Sequence, residues 1–65
     1  MQVHINQQPH ELPEGATVAD AIRLLQALPP YAAAVNRQFV PRPQHAQHVL
    51  HDGDAIEVIR PVTGG

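Results

Sequence analysis

Sixty-five residues without one cysteine make a single small domain that neither disulfides nor thiolate metal sites can brace, so apolar packing must hold it together. The hydrophobic share is 43%, yet Phe39 and Tyr31 are the only aromatics, which predicts an aliphatic core too small to enclose a substrate cavity and argues against an autonomous enzyme. A net charge of −2, four dispersed arginines and no lysine give no basic stripe for nucleic acid, and no apolar run approaches the roughly 20 residues that cross a bilayer.

The opening "QVHIN" alternates, with Val3 and Ile5 on one face and Gln2, His4 and Asn6 on the other, the period of a half-buried strand. "QQP" reads as a turn and "HEL" as a short return strand that places Leu12 inward, which closes a β-hairpin. The start carries no basic leader region, and a cytoplasmic location is expected.

After "PEG" the period changes. Val18, Ile22 and Leu25, extended by Ala21 and Leu28, form a helical stripe over Thr17 to Leu28. Thr17 is a good N-cap, and Asp20 three residues on resembles a capping box, although its side chain is shorter than the usual Glu and is expected to act mainly through the helix dipole. Pro29 and Pro30 lack the amide donor and bar further extension.

"YAAAVN" predicts a short strand, "RQ" a tight turn and "FV" a very short second strand. "PRPQHAQHVL" reads as a proline-punctuated loop with one turn of 3₁₀-helix and with Val49 and Leu50 pointing in. "HDGD" is a turn in which Gly53 can take positive φ, with Asp52 and Asp54 as turn residues rather than a catalytic pair. "AIEVIR" is the last strand, Ile56 and Val58 on one face, Glu57 and Ile59 on the other.

The resulting order, β-β-α-β-β-β, lets the first and last strands lie centrally and pair in parallel around one helix. The fold class is α+β, a β-grasp (ubiquitin-like) body over residues 1–60 with a mixed sheet of four to five strands. Pro61 marks the boundary to a C-terminal tail, 61–65, that ends in Gly64 and Gly65.

His45, His48 and His51 stand at three-residue spacing and invite a metal, but zinc needs a third or fourth fixed ligand, and a proline-rich loop without cysteine is a poor cage. The expectation is no metal, with His48 capping or packing and the other two solvated. Arg42 is expected to fix its loop as a hydrogen-bond donor. Ile59, facing away from the helix beside the tail with Ala32 or Ala34 next to it, is a candidate apolar docking patch.

Four features together, "MQVHIN", "AVNRQFVPR" (Ala34 to Arg42), "LHDGDAIEV" (Leu50 to Val58) and the final "GG", resemble the ThiS family of sulfur carriers over the full length. Pro61, Val62 and Thr63 before the diglycine depart from the commonest pattern of that family. The resemblance implies a carrier for thiamine-thiazole biosynthesis, not an enzyme but a co-substrate. A ThiF-like adenylating enzyme would use ATP to activate the Gly65 carboxyl. A cysteine desulfurase system would supply persulfide sulfur, and ThiG, the thiazole synthase, would receive it from the thiocarboxylate. Gly64 would let the tail enter a narrow channel, Pro61 would limit its freedom, and Val62 and Thr63 would contact the partners together with Ile59. No bound cofactor, nucleic acid or membrane is implied, and the free carrier would be a monomer. The alternatives are the small subunit of molybdopterin synthase, which tends to be longer, and a stand-alone β-grasp binding module. An iron–sulfur ferredoxin on this fold is excluded by the lack of cysteine ligands.

Overall fold

Val3 and Ile5, with at most 1% of their surface exposed, set the inner face of strand β1 (Gln2–Ile5), whose alternate residues face solvent. The computed structural model describes residues 1–26 and 31–59, so the expected body–tail boundary at Pro61, and Leu28, Pro29 and Pro30, lie outside the described residues. β1 turns back into β2 (Gln8–Glu11) with register Ile5 to Gln8 and Gln2 to Glu11. The turn falls on Asn6 and Gln7, both at positive φ (51° and 69°), as a two-residue type I′ hairpin demands. It was expected one residue later, at "QQP". Asparagine tolerates the left-handed region, so it leaves the strand, while Pro9 is accommodated in the edge strand β2. Leu12 is buried just beyond it.

Helix α1 (Val18–Leu25) begins with a complete capping box. The Thr17 hydroxyl accepts the Asp20 N–H at 3.4 Å, and the Asp20 carboxylate accepts the Thr17 N–H at 2.9 Å. The expectation that Asp20 acts mainly through the dipole is therefore corrected. Its short side chain does reach back to the Thr17 backbone, and it also meets Arg23 at 3.4 Å. The end is corrected as well. The helix stops at Leu25 because Gln26 turns left-handed (φ 56°) and its N–H bonds back to Arg23 and Ile22, ahead of the prolines. Val18, Ala21 and Ile22 are buried and Leu25 packs partly against the core, whereas Leu24 is exposed.

β3 (Ala32–Val35) and β4 (Gln38–Val40) form a second type I′ hairpin on Asn36 and Arg37 (φ 51° and 70°), again one residue ahead of the expected turn. The 3₁₀ turn appears at Arg42–Gln44. The following segment docks on the helix start: Val18 N–H donates to the His48 carbonyl and Leu50 N–H to the Ala16 carbonyl. This extended segment bridges Thr17 through Val49, and neighbours on extended chain face opposite ways. Leu50 is thus buried as expected, but Val49 points out and is 47% exposed, which corrects its inward assignment.

β5 (Ala55–Ile59) is the centre of the sheet, whose order is β2-β1-β5-β3-β4. It runs parallel to β1 (His4 beside Ala55) and antiparallel to β3 (Ala32 beside Ile59). One helix on a five-stranded mixed sheet is the β-grasp arrangement. The core between them is aliphatic: Val3, Ile5, Leu12, Ala16, Val18, Ala21, Ile22, Ala33, Val35, Val40, Leu50, Ile56 and Val58.

Leu50 is 2% exposed, and its removal opens a cavity between helix and sheet. Leu50→Ala is expected to cost about 2–5 kcal/mol, most of what a domain this small has in reserve, and urea unfolding should show the protein largely unfolded at room temperature. Asp20→Ala, which breaks the reciprocal half of the cap, should cost about 1 kcal/mol and leave the unfolding cooperative in the same titration.

Candidate functional site

The sheet has a covered face and an open one. The alternation that sends Ile56 and Val58 to the helix sends Glu57 and Ile59 outward, and Ile59 is 59% exposed. Across the ladder, Ile59 lies beside Ala32, Glu57 beside Ala34, and Ala34 beside Phe39. Phe39 is 68% exposed, the most exposed of the large apolar side chains among the described residues. Ile59 and Phe39 therefore stand on the two strands that flank β3. Between them β3 contributes only methyl groups, from Ala32 and Ala34, both half-buried.

This is the apolar patch expected around Ile59, with Ala32 as its direct neighbour. Its other half, Phe39, was not foreseen, although the signal was present: with Val40 facing the core, alternation in "QFV" must turn Phe39 out. The patch lies on the face where β5 ends at Ile59, and the sequence continues from there through Arg60 to Pro61, Val62, Thr63, Gly64 and Gly65. Those last five candidate residues lie outside the described residues.

The histidine segment is built differently from its expectation. His45 was expected to be solvated, but it is only 5% exposed. Its Nε2 stands 2.9 Å from the Val40 carbonyl, which fixes that nitrogen as the donor, and its own carbonyl accepts the Ala19 N–H. Its ring stacks on Tyr31 at 5.9 Å. The cause is the 3₁₀ turn, which brings the ring under the end of β4. His48 is half-buried, its carbonyl taken by Val18, and His51 is exposed beside Asp54. No group of three or more possible metal-binding side chains converges among the described residues.

Arg42 fixes its loop by a different contact from the one expected. Its guanidinium lies 5.6 Å above the Tyr31 ring, a cation–π contact, while its backbone carbonyl accepts the His45 N–H. The Arg42–Tyr31–His45 stack thus has a structural role. Asp52 and Asp54 serve their turn as expected. Asp52 accepts the Gln2 N–H at 2.8 Å, Asp54 accepts the His51 N–H at 2.8 Å, and Gly53 has φ 87°.

The described side chains give this site an apolar face next to the end of the last strand, a surface suited to recognition. Among the described residues, the patch side chains Ile59, Ala32, Ala34 and Phe39 carry no nucleophile or general base, and Glu57 stands on the same face beside Ala34.

The model of the ThiS family matches residues 3–65, which takes in both final glycines. The sulfur carrier protein ThiS of Escherichia coli (strain K12) is 39% identical over 66 residues, covering all of both chains. The crystal structure of the thiamine biosynthesis protein (ThiS) from Geobacter metallireducens superposes with a TM-score of 0.81 over the whole of both chains at 22% identity, a likeness of fold. On this family match and this full-length relative, the chain belongs to the ThiS family.

Proposed function

We propose that this chain is a sulfur carrier for thiamine biosynthesis, acting as a co-substrate and not as an enzyme. The observation that carries the reading is the family match through residue 65, which includes Gly64 and Gly65. The named activity of the E. coli relative supports it.

The chemistry follows from what a carboxylate lacks. As it stands, the Gly65 carboxylate is a poor acyl donor, because attack would have to expel an oxide. Its oxygen attacks the α-phosphorus of ATP on a ThiF-like adenylating enzyme, pyrophosphate leaves, and the product is a mixed anhydride. A persulfide sulfur, delivered by a cysteine desulfurase system, then attacks the acyl carbon and AMP leaves. Attack of a thiol on the donor-side sulfur of the resulting acyl disulfide leaves a thiocarboxylate on Gly65 and a disulfide on the donor. ThiG, the thiazole synthase, takes the sulfur from that thiocarboxylate.

The residue types suit the task. Glycine at 65 leaves the acyl carbon open to both phosphate and sulfur, and Gly64 needs no width in a channel. Pro61 has a fixed φ, which lowers the entropy lost when the tail is ordered, and Val62 and Thr63 are its contacts inside the partner. The patch of Ile59, Ala32, Ala34 and Phe39 is the docking face. The absence of cysteine fits a carrier that holds sulfur on an acyl group. No helix among the described residues is long and apolar enough to cross a membrane. The family match favours the thiamine pathway over the small subunit of molybdopterin synthase.

Incubation with the adenylating enzyme, ATP and a persulfide donor should exchange one carboxyl oxygen for sulfur, read by intact mass. One residue appended after Gly65 should abolish the change; modification that survives the extension would overturn the mechanism. Ile59→Asp puts a charge into the β5 side of the patch, and binding to both the adenylating enzyme and the thiazole synthase should fall about tenfold or more. Its far-ultraviolet circular dichroism should match the parent, because Ile59 is exposed.

A further inference from the structure

The two hairpins repeat one device. Each turn opens with an asparagine at φ 51°, and each asparagine donates its backbone N–H to β5: Asn6 to the Ile56 carbonyl at 2.9 Å, Asn36 to the Ala55 carbonyl at 2.7 Å. Each side-chain amide also reaches β5, but at opposite ends. Asn36 Oδ1 accepts the Ala55 N–H at 3.0 Å, and Asn36 Nδ2 donates to Asp54 Oδ1 at 3.0 Å. Asn6 Oδ1 accepts the Val58 N–H at 2.9 Å, and Asn6 Nδ2 donates to the Val58 carbonyl at 3.3 Å.

The Asn6 contact is the more consequential, because of where β1 ends. β1 pairs with β5 only at His4–Ala55 and Ile5–Ile56, then turns away. Backbone groups on a strand point alternately to its two neighbours. Ala55 bonds toward Asn36, so Glu57 and Ile59 also point to β3, while Ile56 and Val58 point to the β1 side. Beyond Ile56, no β1 backbone is left to meet Val58. The Asn6 carboxamide, which is planar and carries one carbonyl and an N–H like a peptide, occupies that place and extends the ladder by one step.

We infer that Asn6 is a positioning residue for the sulfur-transfer reaction. By clamping Val58 it holds the end of β5 on the side β3 does not reach, and so sets the point from which the segment after Ile59 departs. The inference rests on the reading that Gly65 is the reacting group. A tail that must deliver one carbonyl into a partner's active site gains rate from a fixed root, since each rotation permitted at the root dilutes the productive geometry. Docking through Phe39 and Ile59 does not use Asn6, so the effect belongs to turnover and not to recognition.

Asn36 supplies a matched control. Asn6→Ala and Asn36→Ala each place alanine at the same φ, each remove a two-bond clamp on the segment around β5, and differ in which end is released. Adenylation would be followed by intact mass at saturating ATP over a range of carrier concentrations, together with melting temperature and amide exchange at Val58. The expected result for Asn6→Ala is faster exchange at Val58 and kcat about three- to tenfold lower, with KM within about twofold of the parent. Asn36→Ala should lose comparable melting temperature and keep its kcat. Asn6→Asp keeps the acceptor for the Val58 N–H but not the donor, so its kcat should lie between; it also carries the test if the alanine variant does not fold. Equal loss of kcat in the Asn6 and Asn36 variants, or a change confined to KM, would overturn the assignment. Modification that persists when Gly65 is extended overturns the parent reading as well, whereas a strict terminal requirement with unchanged kcat in Asn6→Ala overturns this inference alone.

Discussion

The pairing of β1 with β5 is the constraint on which the rest depends. Two strands from opposite ends of the chain lie side by side and parallel, so everything between them must form a crossover, and the helix is what that crossover lays on the sheet. The pairing is short, but it is buttressed at both ends. Before it, the turn that carries Gly53 adds a Gly53 N–H to Gln2 carbonyl bond at 2.7 Å and the Asp52 bond to the Gln2 N–H. After it, Asn6 continues the ladder with its side chain. Ile5 and Ile56, paired in this register, are each 1% exposed, so the ladder also fixes the middle of the core. A one-residue slip of either strand would turn its isoleucine outward, and the register is therefore fixed by burial as well as by hydrogen bonds.

The parts of this fold legible in the sequence were those with a period. Alternation in "QVHI" and "AIEVI" identified the two central strands and the inward residues on each, and the spacing of Val18, Ala21 and Ile22 identified the helix. The parts misread were set by single residues with a local conformational option. Gln26 ends the helix by entering the left-handed region, which glutamine does without advertising it in a pattern. Asn6 and Asn36 look like strand residues because they follow alternating runs, yet both are turn residues. Val49 looked like core because it stands beside Leu50, but its direction depends on a bridge to Thr17 that no local window contains. His45 is the same kind of case, since its burial comes from the Val40 carbonyl and the Tyr31 ring, brought over it by tertiary packing.

The candidate site divides along the same line. The chemistry proposed for Gly65 needs no fold to be read, because it belongs to an acyl terminus and to the lack of a side chain there. The proposed docking face does need one. Ile59 was legible from its own strand, but its partner Phe39 reaches the same face only through two registers, β5 to β3 and β3 to β4. The sequence places those two residues far apart, and each alone is an ordinary exposed apolar side chain.

A carrier used by more than one enzyme has to satisfy two demands that pull apart. Recognition asks for a rigid, shared surface, and transfer asks for a reactive end that can enter active sites of different depth. On the proposed function, the sheet face would meet the first demand with aliphatic and aromatic groups on three neighbouring strands, whose positions are locked by the ladder beneath them. The second falls to residues beyond β5. The two meet at Val58 and Ile59, where the chain passes from a strand held on both flanks to one that has lost its β1 neighbour. A strand end with one flank free would swing relative to the docking face, and a partner that grips the face would then find the tail in many directions. Placing a side-chain amide on that free flank restores a second hydrogen-bonded edge without lengthening β1, which would shift the hairpin turn and with it the register of β2. An asparagine in a type I′ turn can do this because the left-handed conformation that ends β1 also swings its side chain toward the strand next door.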